Sequence, residues 1–122
     1  MALDMARHKG YTFVFDDEQR VNLTALWKQT GALPRKKPAL WLKTNPARKF
    51  ILQLEEETED TLLKIDEAHE SDTFGNWKLA LLYTAFLSPK IKTAFMKFIR
   101  RRFTLETGLK MAIDDYMHEI DR

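Results

Sequence analysis

Apolar positions change period several times along this chain, and each change marks an element. Tyr11-Thr12-Phe13-Val14-Phe15 is aromatic and β-branched, and the polar run at 16–20 is turn material, so a strand and a short hairpin into Val21 are predicted. Asn22 is placed to cap a helix with Leu23, Leu26 and Trp27 on one face; Gly31 supplies a left-handed stop, and Leu33 can fold back onto the last turn. Pro34 and Pro38 bracket Arg35-Lys36-Lys37, and Pro38 can start a second short helix through Leu40, Trp41 and Leu42 to Thr44. Two short helices across a tight, Gly-containing connection make a helix-turn-helix candidate.

Asn45-Pro46 repeats the cap-plus-proline signal and opens a third helix with Ala47, Phe50, Ile51 and Leu54 at helical spacing, fraying into the acids of 55–60. The apolar residues of 62–65 and 73–77 flank polar 66–72. This suits a hairpin, although 62–65 suits a helical extension equally well. Residues 79–87 read as a short buried helix that Ser88-Pro89 ends while capping the next. In that next helix Ile91, Ala94, Phe95, Phe98, Ile99 and Phe103 form one stripe, with Lys90, Lys92, Lys97, Arg100, Arg101 and Arg102 around the rest. Thr104 can cap a last helix with Leu105, Leu109, Ala112, Ile113, Tyr116, Met117 and Ile120 on one side.

These elements predict a small, mainly helical domain with an N-terminal strand or hairpin, a helix-turn-helix candidate and amphipathic C-terminal helices. Residues 1–10 are expected to be a flexible N-terminus, 11–103 the domain, and 104–122 a helix that packs on the domain or mediates dimerisation through 105–120. At 122 residues, 44% hydrophobic with eight Phe and three Trp, the chain has enough apolar surface for one core.

The formal net charge of +2 conceals sorting into blocks. Residues 1–50 hold ten Lys/Arg against four Asp/Glu, 51–76 one against nine, 77–103 seven against none, and 104–122 two against five. Basic blocks on one surface would neutralise phosphates and release counterions. Blocks of opposite sign lying against each other in the fold would serve structure alone.

The absence of Cys removes disulfides, thiolate metal sites and thiol nucleophiles. No apolar run approaches the length of a membrane span and residues 1–9 lack an apolar signal core, so the expected setting is the cytosol, away from membranes. His8, His69 and His118 are each solitary, and the carboxylates of 55–60 and of Asp114, Asp115 and Glu119 are sequential, pointing apart along a helix. With four Gly and no Gly-rich turn, a phosphate cradle is unsupported as well. No reaction, metal or cofactor is expected. Trp27, Trp41, Trp77, Phe95 and Phe98 sit at core-like positions, which leaves recognition to polar side chains.

Three segments in order carry a family resemblance: Val21-Asn22-Leu23-Thr24-Ala25-Leu26-Trp27, Ala39-Leu40-Trp41-Leu42-Lys43-Thr44, and Gly75-Asn76-Trp77-Lys78 followed by 79–87 and Ser88-Pro89. In that arrangement the chain resembles the KilA-N domain, a DNA-binding module of bacteriophages and large DNA viruses related to the APSES domain of fungal regulators. The resemblance covers about residues 11–103. It implies an α+β fold, a small domain with a helix-turn-helix-like pair and a β-hairpin wing at 63–77, in a non-enzymatic, regulatory DNA-binding protein of phage or prophage type acting in the host cytoplasm. Mapped onto this sequence, the first helix becomes 23–30 and the recognition-like segment 35–44. Arg35, Lys36, Lys37 and Lys43 are then the leading contacts to double-stranded DNA, with Arg48 and Lys49 on phosphates and Lys90, Lys97 and Arg101 adding more. Two departures stand out: Lys78 takes the place of a frequent His, and the wing is acidic. The alternative is a phage accessory protein that binds and inhibits a host protein through its acidic or basic face.

Overall fold

The computed structural model describes residues 4–59, 61–66 and 72–103. The chain runs β1 (Asp4–His8), β2 (Tyr11–Phe15), β3 (Val21–Asn22), α1 (Leu23–Gln29), a 3-10 turn (Pro34–Lys36), α2 (Pro38–Trp41), α3 (Asn45–Glu57), β4 (Leu63–Asp66), β5 (Asp72–Gly75), α4 (Trp77–Leu87) and α5 (Pro89–Phe103). Five antiparallel strands form one sheet in the order β1-β2-β3-β5-β4. The α+β class, the N-terminal hairpin and the hairpin wing all stand.

Residues 4–8 are not a loose terminus. They pair along β2 from Asp4↔Phe15 to His8↔Tyr11. The connection is Lys9-Gly10, with φ of +52° and +85°, and two left-handed residues in succession give a turn whose twist matches that of the strands. Period-two alternation then sends Phe13 and Phe15 into the core with no exposure.

The acidic turn after β2 is tied down by its own side chains. Asp16 is buried and accepts from the backbone N–H of Glu18 and Arg20 through Oδ1, and from the Arg20 Nε through Oδ2 at 2.7 Å. Arg20, 5% exposed, spends a second nitrogen on the carbonyl of Thr61. The chain leaves this turn as β3, where Phe15↔Val21 closes one hairpin and Val21↔Gly75 and Asn22↔Phe74 join the wing.

Asn22 makes the cap expected of it, its Oδ1 accepting from Ala25 N at 2.9 Å, while Nδ2 donates to Asp72 Oδ2 on β5. Gly31 takes the left-handed conformation that stops α1, at φ +97°. Leu33 folds back through its carbonyl, which accepts from the Trp27 Nε1; its side chain is exposed. Beyond β3 the Gln29 amide continues the ladder, accepting from Thr12 N and donating to Thr12 O.

Three boundaries differ from the sequence expectation. The second helix is one turn, ending at Trp41, because the Thr44 hydroxyl donates to Trp41 O and accepts from Ala47 N, making Thr44 the cap of α3. Asn45 and Pro46 are therefore the first two residues of α3, not its cap. Likewise Trp77 begins α4, not the wing strand, since Asn76 Oδ1 accepts from Lys78 N. Ser88 caps α5 through Ile91 N as expected.

Helix α4 is buried nearly all round, and α5 lays Ile91, Ala94, Phe95, Phe98 and Ile99 against it and against β1 and β2. Phe13 meets Phe95 and Phe98 with ring centres 5.1 and 5.0 Å apart. The expected last helix and its dimer role lie outside the described residues. No helix among the described residues is long and apolar enough to cross a membrane.

Asn22 serves a helix cap and an inter-element hydrogen bond at once. Asn22→Ala is expected to lower unfolding stability by about 2 kcal/mol, read as a shift of the urea midpoint at unchanged slope.

Candidate nucleic-acid interface

From residue 19 to residue 54 the chain carries eight Lys/Arg and no Asp/Glu. The fold distributes these cations unequally. Arg20 is buried in its turn, as described. Lys28, Arg35, Lys37, Lys43, Arg48 and Lys49 are exposed, contributed by α1, the 3-10 turn and its end, the α2–α3 corner and the first turn of α3.

Lys36 is the exception. Its Nζ donates to the carbonyls of Phe86 and Leu87 at 3.3 and 3.0 Å, at the end of α4, and stands 5.5 Å from the centre of the Phe86 ring. A cation there complements the negative end of the helix dipole. The Lys36 carbonyl in turn accepts from the Tyr83 hydroxyl at 2.5 Å, and burial pushes that phenol well above its ordinary pKa. Lys36, expected among the DNA contacts, is thus held as the bolt that pins the 3-10 turn to α4. Sequence reasoning treated three adjacent cations as equivalent; only the tertiary fold separates them.

Lys37 points the other way. Its ammonium lies 5.6 Å from the centre of the Trp27 ring, and Trp27 holds Leu33 O through its indole N–H at 2.7 Å. Lys37 and Lys28 line one open cleft with Thr24, Trp27, Pro38, Ala39, Asp72 and Thr73, between α1, the start of α2 and the wing strand β5. Thr24 and Asp72 anchor the wing wall of this cleft, since Thr24 Oγ1 accepts from Thr73 N and Asp72 bonds Asn22. Lys28 was missed from sequence because only the apolar face of α1 was read. The acid-free run that contains it was the available signal.

A second basic group lies on α5. Lys90, Lys97 and Arg101 are exposed on α5, at a spacing that puts them along one side of the helix. The β1–β2 turn approaches this side: burial first, and then the charges of Arg101, Lys9 and Lys97, hold the His8 imidazole below its ordinary range. His8 Nε2 is buried with no hydrogen-bond partner among the described residues. Lys9 therefore joins this group, missed because residues 1–10 were expected to be flexible. Arg102 does not join it: the guanidinium stacks 4.1 Å over Phe15 and donates to Gln19 Oε1.

The acids near these surfaces are partly engaged. Lys78, at the start of α4, pairs with Glu57 at the end of α3 at 3.7 Å. Among the described residues no three His, Asp or Glu side chains converge as a metal site would require.

The one-turn α2 behind a capped α1, the adjoining wing, and the α4–Ser88–α5 corner complete the pattern that the three sequence segments suggested. The KilA-N domain model matches residues 7–104. This chain belongs to the KilA-N domain family. Protein kilA of Escherichia phage P1 is 30% identical over 115 residues, a match that covers 86% of this chain and 43% of that protein. The chain spans less than half the length of the curated relative it matches. No solved structure matches. The KilA-N match takes in both basic groups, from the β1–β2 turn to α5.

Two measurements check this placement of charges. Lys36→Ala is expected to cost about 1 kcal/mol of stability, whereas Arg35→Ala and Lys43→Ala stay within about 0.5 kcal/mol, by urea denaturation. By NMR titration His8 is expected to protonate below the ordinary value of about 6.5, and Lys97→Gln or Arg101→Gln to raise its pKa, because each removes a positive neighbour.

Proposed function

We propose that this KilA-N domain is a non-enzymatic, phage-type protein that binds double-stranded DNA, with Lys28, Arg35, Lys37, Lys43, Arg48 and Lys49 facing the duplex. The observation that supports the reading is the acid-free stretch of 19–54, six of whose eight cations are exposed, with Lys28 and Lys37 lining the α1–α2–β5 cleft. Such a surface neutralises several phosphates at once, and the release of their counterions supplies affinity independent of sequence. Positions on short, capped elements pinned to the core suit phosphate contacts, which fix register on the duplex before any base is read. Base readout then falls to the residues lining the cleft, Thr24 among them, and a regulatory role follows from selective occupancy of sites. Lys36 is left out of the contact set. Lys90, Lys97 and Arg101 form a subsidiary phosphate surface.

The test is the salt dependence of duplex binding, followed by fluorescence anisotropy on the purified chain. Each phosphate contact contributes about 0.9 to the slope of log affinity against log salt. The variant Lys37→Gln/Lys43→Gln/Arg48→Gln is expected to lose about three units of slope and to bind more than about ten-fold more weakly at moderate salt. An unchanged slope would remove this surface from the contact. Capture of one host protein without any retention on duplex DNA or heparin would favour the accessory-protein reading instead.

A further inference from the structure

Two lysines and one acid line the cleft between α1, the start of α2 and β5. The acid is Asp72, the first residue of β5. One of its carboxylate oxygens, Oδ2, accepts from Asn22 Nδ2 at 2.9 Å, and Asn22 is itself fixed as the cap of α1. The other, Oδ1, is buried and has no hydrogen-bond partner among the described residues. A buried acceptor left without a donor is costly, and a carboxylate only accepts, so the partner that completes it must bring an N–H or an O–H.

The surroundings of Asp72 are set by the fold. Thr24 Oγ1 accepts from Thr73 N at 3.0 Å, which holds β5 to α1, and the Trp27 indole is tied to Leu33 O. Lys28 and Lys37 line the cleft with exposed, flexible side chains. Drawn out to phosphates, they open it to the edge of a base. In the major groove the donors on base edges are the N4 amino group of cytosine and the N6 amino group of adenine. Adenine sets its N7 acceptor beside the amino group, which a carboxylate meets with repulsion; cytosine carries no such neighbour. Guanine and thymine present acceptors only, so oxygen would face oxygen, and selection gains a repulsive element as well as an attractive one. We propose that Asp72 is a specificity-determining residue whose Oδ1 accepts from the N4 amino group of a cytosine in the major groove, while Lys28 and Lys37 hold flanking phosphates. This assignment rests on the DNA-binding reading and names the base that the cleft selects. An acid that acted through charge alone would weaken binding to every sequence alike.

The unsubstituted chain and Asp72→Asn are each taken through selection from random duplex DNA at two salt concentrations, and binding to the selected site is then measured by fluorescence anisotropy. In Asp72→Asn the amide oxygen can keep the bond from Asn22 Nδ2, which puts an N–H donor where Oδ1 stood. The unsubstituted chain is expected to require cytosine at one position of its site and to bind at least about five-fold more weakly with any other base there. Asp72→Asn is expected to move that one position to guanine or thymine, whose edges accept, and to leave the other positions unchanged. A uniform gain in affinity on neutralisation, with the selected site unchanged, overturns the proposal. So does retention on duplex DNA without enrichment of any site, a result that leaves the phosphate contacts standing. Absence of any retention removes the DNA-binding reading and this assignment together. A measurement on the unsubstituted chain covers the case of a variant that fails to fold: a duplex whose selected cytosine carries an aminoethyl group on N4 is coupled with carbodiimide, and the peptides are mapped by mass. Linkage at Asp72 is expected; linkage confined to other carboxylates, or none at all, overturns the proposal.

Discussion

Val21 and Asn22 occupy the middle of the sheet, and the N-terminal hairpin meets the wing through their backbone. A strand of two residues offers few ladder bonds, and a slip of one residue would carry Val21 out of the core. Side chains on either flank hold the register. On the entry side, the Arg20 guanidinium is taken out of water, a cost that Asp16 at 2.7 Å, Glu18 at 3.1 Å and Thr61 O help to recover. On the exit side, Asn22 divides its amide between the first turn of α1 and Asp72 of the wing. Gln29 then extends the ladder along Thr12 where β3 has ended.

That junction fixes more than the sheet. Once α1 is oriented, Trp27 at its far end holds Leu33 O and underlies Lys37, and the next residue back, Lys36, is bolted to the end of α4. A run of connecting residues between short helices is thereby supported from both sides, by α1 and by α4. Binding residues on loops depend on such rigid support for their placement. The exposed cations of the segment are therefore presented by a braced surface, and one cation of the three consecutive ones is spent on the bracing.

Most elements were legible in the sequence because their signals are local. The alternating aromatics of Tyr11–Phe15, the Asn22 cap, Gly31 and the Ser88-Pro89 corner each require only their neighbours. Strand β1 was missed because Lys9-Gly10 lacks the Asn or Asp usual at the first turn position, and its partner strand, not its own composition, makes it a strand. The cap of α3 was displaced by one residue because Thr44 and Asn45 are both competent, and Thr44 also reaches Trp41 O. The basic character of 19–54 was legible in the sequence; the tertiary partners of its individual cations were not. Adjacent Lys36 and Lys37 differ only in what the tertiary fold brings to them, α4 for one and Trp27 for the other, and no local pattern encodes that difference.

The same distinction bears on why the charges are sorted along the chain. If the blocks served structure alone, opposite charges would meet across elements throughout. Among the described residues, ion pairs include Asp16 and Glu18 with Arg20, within one turn, and Glu57 with Lys78, between two helices. The stretch 19–54 supplies no acid of its own, and six of its eight cations are exposed. Like charges repel and work against the compact state. An anion that binds the native surface and not the unfolded chain relieves the repulsion and stabilises the fold through linkage. Under the proposed reading, this region would cost stability when empty and gain it when occupied, which would separate it from charge that serves solubility.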